Sequence, residues 1–494
     1  MKKLLKGLTC LIMAFVLVFS LSACKSNLSP TTVDTSKVKT SNGVTTNGGI
    51  TAIHDGYLYF INGTKTNDGT SPYGNTKSAI CRVKFDEVLG TVNEATYEVV
   101  VDDLVGFTYG SLHFFGDFLY YTTPSADVNY KNNVLYYKTK FMRYDLVNKT
   151  KQTIYTTQQN AEKEEVSFAY YVVGEELDLI VYESKNASIT SIKIGDTCQT
   201  NYVLNEVTSC ALSENYGKCV TSGKTADANT FVFYTKAYDT YEKFNTGNKL
   251  YRTLPNKNSS TCIFNQGKEV TLDTIKQGKL IFSEKELDVT RVYAYPITGD
   301  ANETISLDER AYIISYNTID NSIYMENSDG SISIIEYKAG SDNSYTINKI
   351  DVSRNYEPES KQITYGKTKI SKFTIAGLVK VNEIVKEATE TEEAQTEQVL
   401  YLVYVADNAL YKLEIERAGV LNENAKAPVK LTKSKIVEPS GLLLPEVVGN
   451  YVFAFANEID DKEKETGNVY LHKIDLTIKE TSKTFSPVLA IKEN

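Results

Sequence analysis

The segment Asp55-Gly56-Tyr57-Leu58-Tyr59-Phe60-Ile61-Asn62, followed by AICRVKF at residues 79–85, decides the fold of this chain. It joins an Asp-Gly turn to two runs of aromatic and branched residues, which is the pattern of antiparallel strands. Seven further copies follow, most of them at spacings of roughly 45 to 60 residues, a period typical of propellers and solenoids. They contain GDFLYY near Tyr120, LDLIVYES near Leu179, TFVFYTK near Phe233, GKLIFSE near Ile281, NSIYMEN near Tyr324, VLYLVYVAD near Tyr401 and NYVFAFAN near Phe453.

A single copy cannot bury its own apolar faces, so the copies must pack against one another. Short antiparallel strands with turn residues between them favour blades around a central axis. We therefore predict an all-β chain whose residues 49–494 form a β-propeller of about eight four-stranded blades. Seven blades, or paired β-sandwiches, are the alternatives.

The paired strand phrases resemble the YWTD propellers of lipoprotein receptors. In that family an Ile-Tyr-Trp-Thr-Asp strand precedes a strand that ends in Arg and a Leu-Asp-Gly turn. Here the chain has no Trp, and Phe, Tyr, Val or Met stand in its place. The arginine is kept in four copies, at Arg82, Arg143, Arg252 and Arg291. The resemblance implies the fold and carries over no ligand site.

The first 24 residues, MKKLLKGLTCLIMAFVLVFSLSAC, read as an export signal. Lysines precede a short apolar run, which is too short and wrongly flanked for an ordinary membrane span. The Leu-Ser-Ala-Cys ending resembles the lipobox of bacterial lipoproteins. This resemblance implies a signal peptide at 1–23, cleavage between Ala23 and Cys24, and a diacylglycerol on Cys24. An uncleaved anchor helix is the alternative.

Residues 24–48 are rich in Ser, Thr, Asn and Gly and predict a flexible tether after the lipid. Together with the lipobox, they place the body on the extracytoplasmic face of a cell membrane, anchored through acylated Cys24. Abundant Lys, Asn, Ile and Tyr resemble the composition of a low-GC Gram-positive bacterium, which makes a Gram-positive cell surface the expected location.

The net charge of −9 argues against nucleic acid as a partner. Loss of the leader would remove three lysines and make the body more acidic. A glutamate-rich insert at about 382–398 is expected to form a solvated excursion or a short helix within the seventh copy. Other polar loops are expected at Thr64–Lys77, Ser125–Asn133, Ala237–Asn248 and Ile459–Gly467, and binding sites often lie on such loops.

The sequence contains no recognisable catalytic motif. It lacks a Gly-x-Ser-x-Gly elbow, an EF-hand and a phosphate-binding glycine loop. The only histidines are His54, His113 and His472, in the first, second and last copies. Closure of the ring could bring these histidines together as a shared metal site. We favour the interpretation that each one fills a strand position in the core. We predict no catalytic residue, no metal site and no cofactor.

Two other residue types have a structural and a functional interpretation. The pairs Tyr120-Tyr121, Tyr136-Tyr137 and Tyr170-Tyr171 could stack on sugars, but packing within blades is favoured. After the leader and Cys24, five cysteines remain, and an odd number cannot all pair. A disulfide between Cys210 and Cys219 is one option. The favoured interpretation is that these two cysteines are small buried residues of the core, as are Cys81, Cys198 and Cys262.

These features favour a non-enzymatic binding or scaffold protein of the cell envelope, with a protein, peptide or glycan as its ligand. An extracytoplasmic hydrolase or lyase that acts on glycans, with carboxylates converging at one mouth of the ring, is the alternative.

Overall fold

A computed structural model provides the structure of the protein. It describes residues 49–62, 64–65, 79–86, 91–105, 112–131, 134–158, 166–173, 176–212, 219–222, 231–237, 247–265, 269–276, 279–286, 289–296, 312–316, 322–326, 332–339, 344–352, 359–367, 373–386, 395–421, 428–432, 435–436, 445–448, 450–460, 462, 464–477 and 488–489. Apart from one 3-10 turn at Ser184–Asn186, the regular structure of these residues consists of strands.

The described strands form eight sheets that follow one another along the chain. The first sheet contains β1 (Thr51–His54), β2 (Tyr57–Ile61), β4 (Ile80–Asp86) and β5 (Thr91–Val101). The second contains β6 (His113–Phe115), β7 (Phe118–Lys131), β8 (Val134–Asp145) and β9 (Thr150–Thr156). The third contains β10 (Val166–Val173), β11 (Glu176–Glu183), β12 (Ser188–Ile194) and β13 (Gln199–Leu204), together with β15 (Cys219–Ser222). The fourth contains β14 (Val207–Ala211), β16 (Val232–Ala237), β17 (Asn248–Thr253) and β18 (Thr261–Phe264).

The remaining four sheets repeat the same antiparallel order. The fifth contains β19 (Glu269–Lys276), β20 (Lys279–Glu286), β21 (Val289–Pro296) and β22 (Tyr312–Tyr316). The sixth contains β23 (Ser322–Glu326), β24 (Ile332–Ala339), β25 (Ser344–Val352) and β26 (Glu359–Lys367). The seventh contains β27 (Phe373–Lys386), β28 (Gln395–Ala406), β29 (Ala409–Arg417) and β30 (Val420–Leu421), with β31 (Val429–Lys430) beside β29. The eighth contains β32 (Glu446–Val448), β33 (Tyr451–Ile459), β34 (Glu465–Asp475) and β35 (Val488–Leu489), with β3 (Thr64–Lys65) also paired to β34.

The first strands of neighbouring sheets approach one another. β1 lies beside β6, β14 beside β19, β23 beside β27, and β27 beside β32. The later strands of each sheet are therefore farther from the axis. This radial order, with the first strand innermost, is the arrangement of propeller blades.

Apolar residues fill the spaces between neighbouring sheets, because most strands bury both of their faces. One cluster joins the eighth, first and second sheets, and others join the second to the third, the third to the fourth, the fourth to the fifth, and the seventh to the eighth. β22 lies beside β25, which brings the fifth sheet against the sixth. Each sheet thus packs against two neighbours, unlike the paired sheets of a sandwich, and the prediction of an all-β propeller is confirmed.

The two ends of the described chain meet where the eighth sheet contacts the first. β3 pairs with β34 through Thr64 opposite Val469, so a segment from the first copy extends the last sheet. The Glu446 carboxylate also accepts hydrogen bonds from the backbone N–H and the hydroxyl of Thr51, both at 3.1 Å. Gly49 lies directly against this carboxylate with φ +142°, where a Cβ atom would collide with it. Glycine is therefore required at this junction.

Tight turns explain the recurrence of Asp, Asn and Gly ahead of the second strands. Asp55 and Gly56 both have positive φ, at 48° and 74°, as a two-residue turn of the first hairpin requires. The carbonyl of Gly56 accepts a hydrogen bond from the N–H of Phe85, at 2.9 Å, and Asp117 accepts one from Leu146 at 3.0 Å. The turns of these two hairpins are thus also tied to the end of the third strand.

The arginines of the repeat have a packing role. Three guanidinium groups lie over an aromatic ring at or just before the start of the second strand: Arg82 over Tyr57 at 4.4 Å, Arg143 over Phe118 at 5.0 Å, and Arg252 over Phe231 at 4.7 Å. Arg143 also donates to the carbonyl of Gly195, at 2.8 Å, and so links the second sheet to the third. These contacts hold strands and sheets together.

Two features depart from the simple repeat. β15 pairs in parallel with β10, on the side away from β11, which places it on the axial side of the third sheet. The flanks of the acidic segment are strand rather than loop or helix, since Lys386 pairs with Gln395 at the end of the β27–β28 hairpin. Residues 387–394 lie outside the described residues.

Candidate functional site

The two ends of the ring differ in the connections they carry. Because strands alternate in direction, the turns between first and second strands lie at one end, and the connections between second and third strands lie at the other. We call the first end the turn face, which carries Asp55–Gly56 and Gly116–Asp117. The second end is the loop face, which carries the connections from β2 to β4, β7 to β8, β16 to β17 and β33 to β34.

All four polar loops that the sequence singled out belong to the loop face. Segments 64–77, 125–133, 237–248 and 459–467 each lie at the junction between the second strand of a sheet and the third. The expectation of a loop at Ser125–Asn133 is wrong for residues 125–131, because they belong to β7, which pairs with β8 as far as Lys131 opposite Val134. The strands that flank these segments are packed in the ring, so both ends of each segment are held in fixed positions. The acidic hairpin of β27 and β28 instead connects a first strand to a second and belongs to the turn face.

The three histidines occupy core positions in three sheets and are not brought into one cluster. His54 stacks on Phe114, with ring centroids 4.4 Å apart, between the first and second sheets. His113 contacts Tyr170, at 4.7 Å, between the second and third sheets. Complete burial lowers the pKa of His113 to about 3, so its imidazole is neutral at physiological pH. His472 is buried in β34.

Asp178 is a buried carboxyl group that the sequence analysis did not single out. It lies on β11, between the third and fourth sheets, and is 0% exposed. The Asn201 amide donates to its Oδ1 at 2.7 Å, whereas its Oδ2 has no hydrogen-bond partner among the described residues. Burial raises the pKa of Asp178 to about 7, assisted by the charge of Glu176 and opposed by Asn201. An aspartate inside the apolar run LDLIVYE is the sequence signal that identifies it.

A second group of buried charges forms a network in the seventh sheet. Lys412, 1% exposed, donates to the carbonyl of Leu476 at 2.5 Å and lies 3.5 Å from the carboxylate of Glu383. Burial alone would raise the pKa of Glu383, but hydrogen bonds from Tyr401 and Arg417 and the charge of Lys412 outweigh it and lower that pKa. Each charge has an opposite partner, and the network links the seventh sheet to the eighth.

Two of the three tyrosine pairs do not offer stacking surfaces. Tyr120, Tyr121, Tyr170 and Tyr171 are each 0–1% exposed and pack within the ring. The side chains of Tyr136 and Tyr137 lie outside the described residues. The four buried rings therefore stabilise the fold and cannot stack on a sugar.

The described cysteines are free thiols. They are Cys81, Cys198, Cys210 and Cys262, and the side chain of Cys219 lies outside the described residues. Cys210 is therefore not paired with Cys219 in this structure. Burial raises the pKa of Cys81 to about 12, which makes this thiol a poor nucleophile.

Residues 1–48 lie outside the described residues, so the signal peptide at 1–23, the Ala23–Cys24 cleavage site, lipid attachment at Cys24 and the tether at 24–48 stay predictions. In the part of the chain that the structure describes, no helix is long and apolar enough to cross a membrane.

Comparisons with solved structures find distant likenesses. A prolyl endopeptidase has a TM-score of 0.40 and 9% identity, covering 78% of this chain and 50% of its own. The β-propeller domain of the Trilobed protease from Pyrococcus furiosus has a TM-score of 0.33 and 8% identity, covering 75% of this chain and 94% of its own. A quinonprotein alcohol dehydrogenase-like protein from Bacteroides thetaiotaomicron VPI-5482 has a TM-score of 0.33 and 14% identity, covering 93% of this chain and 95% of its own.

The chain spans about half the length of the prolyl endopeptidase. At such low TM-scores these likenesses carry no argument about activity. No protein-family model matches the chain, and no curated protein is similar to it at a significant level.

Proposed function

We propose that this protein is a lipid-anchored binding or scaffold protein on the extracytoplasmic face of a bacterial cell membrane. The observation that carries the proposal is that four polar segments follow second strands and so lie at the same end of the ring, the loop face. A rigid ring that presents several loops at one end is suited to holding a protein, peptide or glycan. The recurrent arginines support a body of the YWTD type.

Membrane attachment is tested by replacing Cys24 with Ala in the full chain. Without an acylated cysteine, we expect the protein to move from the membrane fraction to the soluble extracytoplasmic fraction, because no lipid would hold it there. Cys10→Ala is the matched control, since this cysteine leaves with the signal peptide, and it should stay membrane-bound. A Cys24→Ala protein that remains in the membrane would mean that the apolar run is a retained helix.

The binding face is tested by shortening one hairpin at each end of the ring. Ala237 and Asn248 pair directly at the end of β16 and β17, so residues 238–247 can be replaced by an Asn-Gly turn. The control replaces 387–394 on the turn face in the same way, between the paired Lys386 and Gln395. Each variant is used to recover partners from solubilised cell envelopes.

We expect the unmodified protein and the turn-face variant to recover the same protein or glycan, and the loop-face variant to lose it. Recovery of no partner by the unmodified protein would count against the binding function. Breakdown of an envelope glycan by the protein would instead support the hydrolase or lyase alternative.

A further inference from the structure

His54, Asp55 and Asp117 bring three metal-binding side chains together at the turn face. His54 is the last residue of β1 and Asp55 begins the turn that follows it, whereas Asp117 belongs to the equivalent turn of the second sheet. One ligand atom of each residue lies within 4.8 Å of the others. The group therefore spans the boundary between two sheets.

The surrounding structure holds this group in place. The imidazole of His54 is 3% exposed and is fixed by stacking on Phe114 of the second sheet. Asp55 has φ 48°, the left-handed conformation of a tight turn, and its carboxylate lies beside the imidazole. Asp and Gly occur in opposite order in the two turns, Asp55-Gly56 and Gly116-Asp117.

The distance between His54 and Asp55 fits a small transition-metal ion. His54 Nε2 lies 3.4 Å from Asp55 Oδ2. Two ligands on a tetrahedral Zn²⁺ with bonds of about 2.0 Å stand about 3.3 Å apart, so these two atoms already have the required separation. Asp117 is exposed and one of its carboxylate oxygens lies within 4.8 Å of the other two ligand atoms, so binding to the same ion requires a rotation of its side chain.

The donor set indicates which ion is suited to the group. Two carboxylates in close proximity repel each other, and a divalent cation between them removes that repulsion. An imidazole nitrogen beside two carboxylates suits Zn²⁺ and similar first-row ions better than Mg²⁺ or Ca²⁺, which prefer oxygen ligands throughout. We propose that His54, Asp55 and Asp117 bind a divalent first-row cation of the Zn²⁺ type, which ties the first two sheets together at the turn face.

Zn²⁺ binding to the purified, chelator-treated full chain tests the proposal. Calorimetric titration should show one Zn²⁺ per chain, and excess Zn²⁺ should raise the Tm because the ion binds only the folded state. Asp117→Asn should weaken binding at least tenfold. This variant lies on an exposed turn, so its folding should be retained, and Asp55→Asn provides a second ligand variant.

Asp407→Asn is the matched control. Asp407 also begins a two-residue turn with positive φ, at 46°, and it lies outside the proposed ligand group. Its Zn²⁺ affinity should equal that of the unmodified protein. Mg²⁺ should bind at least tenfold more weakly than Zn²⁺ to the unmodified protein.

Three results would overturn the proposal. One is the absence of Zn²⁺ binding, which would leave the contact between His54 and Asp55 as the whole interaction. Another is unchanged affinity in Asp117→Asn, which would place the ion elsewhere. The third is a thiolate-to-metal charge-transfer band on Co²⁺ substitution, which would place the metal on a cysteine.

Discussion

Replacing Asp178 by Asn should remove a large part of the pH dependence of stability between about pH 4 and pH 7. Burial raises the pKa of Asp178 to about 7 in the folded protein, from an ordinary value of 3.8. Within this interval the folded state keeps a proton that the unfolded chain has lost. The free energy of unfolding therefore falls as the pH rises through the interval, and the full loss is reached above pH 7.

The size of the effect follows from the shift in pKa. A difference of about three units, at about 1.36 kcal/mol per unit, gives about 4 kcal/mol between pH 4 and pH 8. Asparagine is nearly isosteric and does not titrate. Its carbonyl can still accept the hydrogen bond from Asn201. The variant should therefore gain about 4 kcal/mol relative to the unmodified protein over that interval.

The assay is urea unfolding of the unmodified protein and the variant at several pH values from 4 to 8. Asp196→Asn makes the same substitution on an exposed turn and controls for the loss of one aspartate. If the unfolding free energies of Asp178→Asn and the unmodified protein stay parallel over the whole interval, the carboxyl group is not held protonated in the fold, and the reasoning is refuted.

Two further substitutions test how the ring is held together. Gly49→Ala should lower the free energy of unfolding by about 1–3 kcal/mol, because φ is +142° and the new Cβ meets the Glu446 carboxylate. Thermal unfolding measures the loss. Gly195→Ala is the control and should lose less, because a Cβ at Gly195 has ordinary space around it. An unchanged Tm for Gly49→Ala would contradict the close approach. Lys412→Met should lower the free energy of unfolding in urea by about 3 kcal/mol, because Glu383 loses a buried partner of opposite charge. A loss below about 1 kcal/mol would show that stability does not depend on this lysine.

The proposed binding function and the proposed cation site lie at opposite ends of the ring. The loops that emerge at the loop face are the expected contact with an envelope partner, while His54, Asp55 and Asp117 lie at the turn face. If the variant with the shortened β16–β17 hairpin no longer recovered the partner but still bound Zn²⁺, the partner-binding face and the cation site would be shown to be separate. Failure of one proposal leaves the other standing.

Much of the fold is predictable from local sequence. The Asp-Gly turn at Asp55, the apolar strands after it and their recurrence along the chain are local signals, because turn conformation and strand burial depend on neighbouring residues. The arginines were visible as a repeated feature, although their stacking on rings such as Tyr57 required the strand register. The acidic segment at 382–398 was expected to be a loop or helix, but the register of β27 with β28 makes its flanks strand.

The sites depended on contacts between distant parts of the chain. The proximity of Asp117 to His54 arises because two turns about sixty residues apart meet when their sheets pack side by side. The raised pKa of Asp178 arises from burial between the third and fourth sheets. The sequence by itself determined the repeat, the strands, the turns and the predicted lipid address at Cys24, because these depend on short segments. Only the tertiary structure decided which end of the ring carries the loops and which side chains share a site, because these depend on how the sheets pack around the axis.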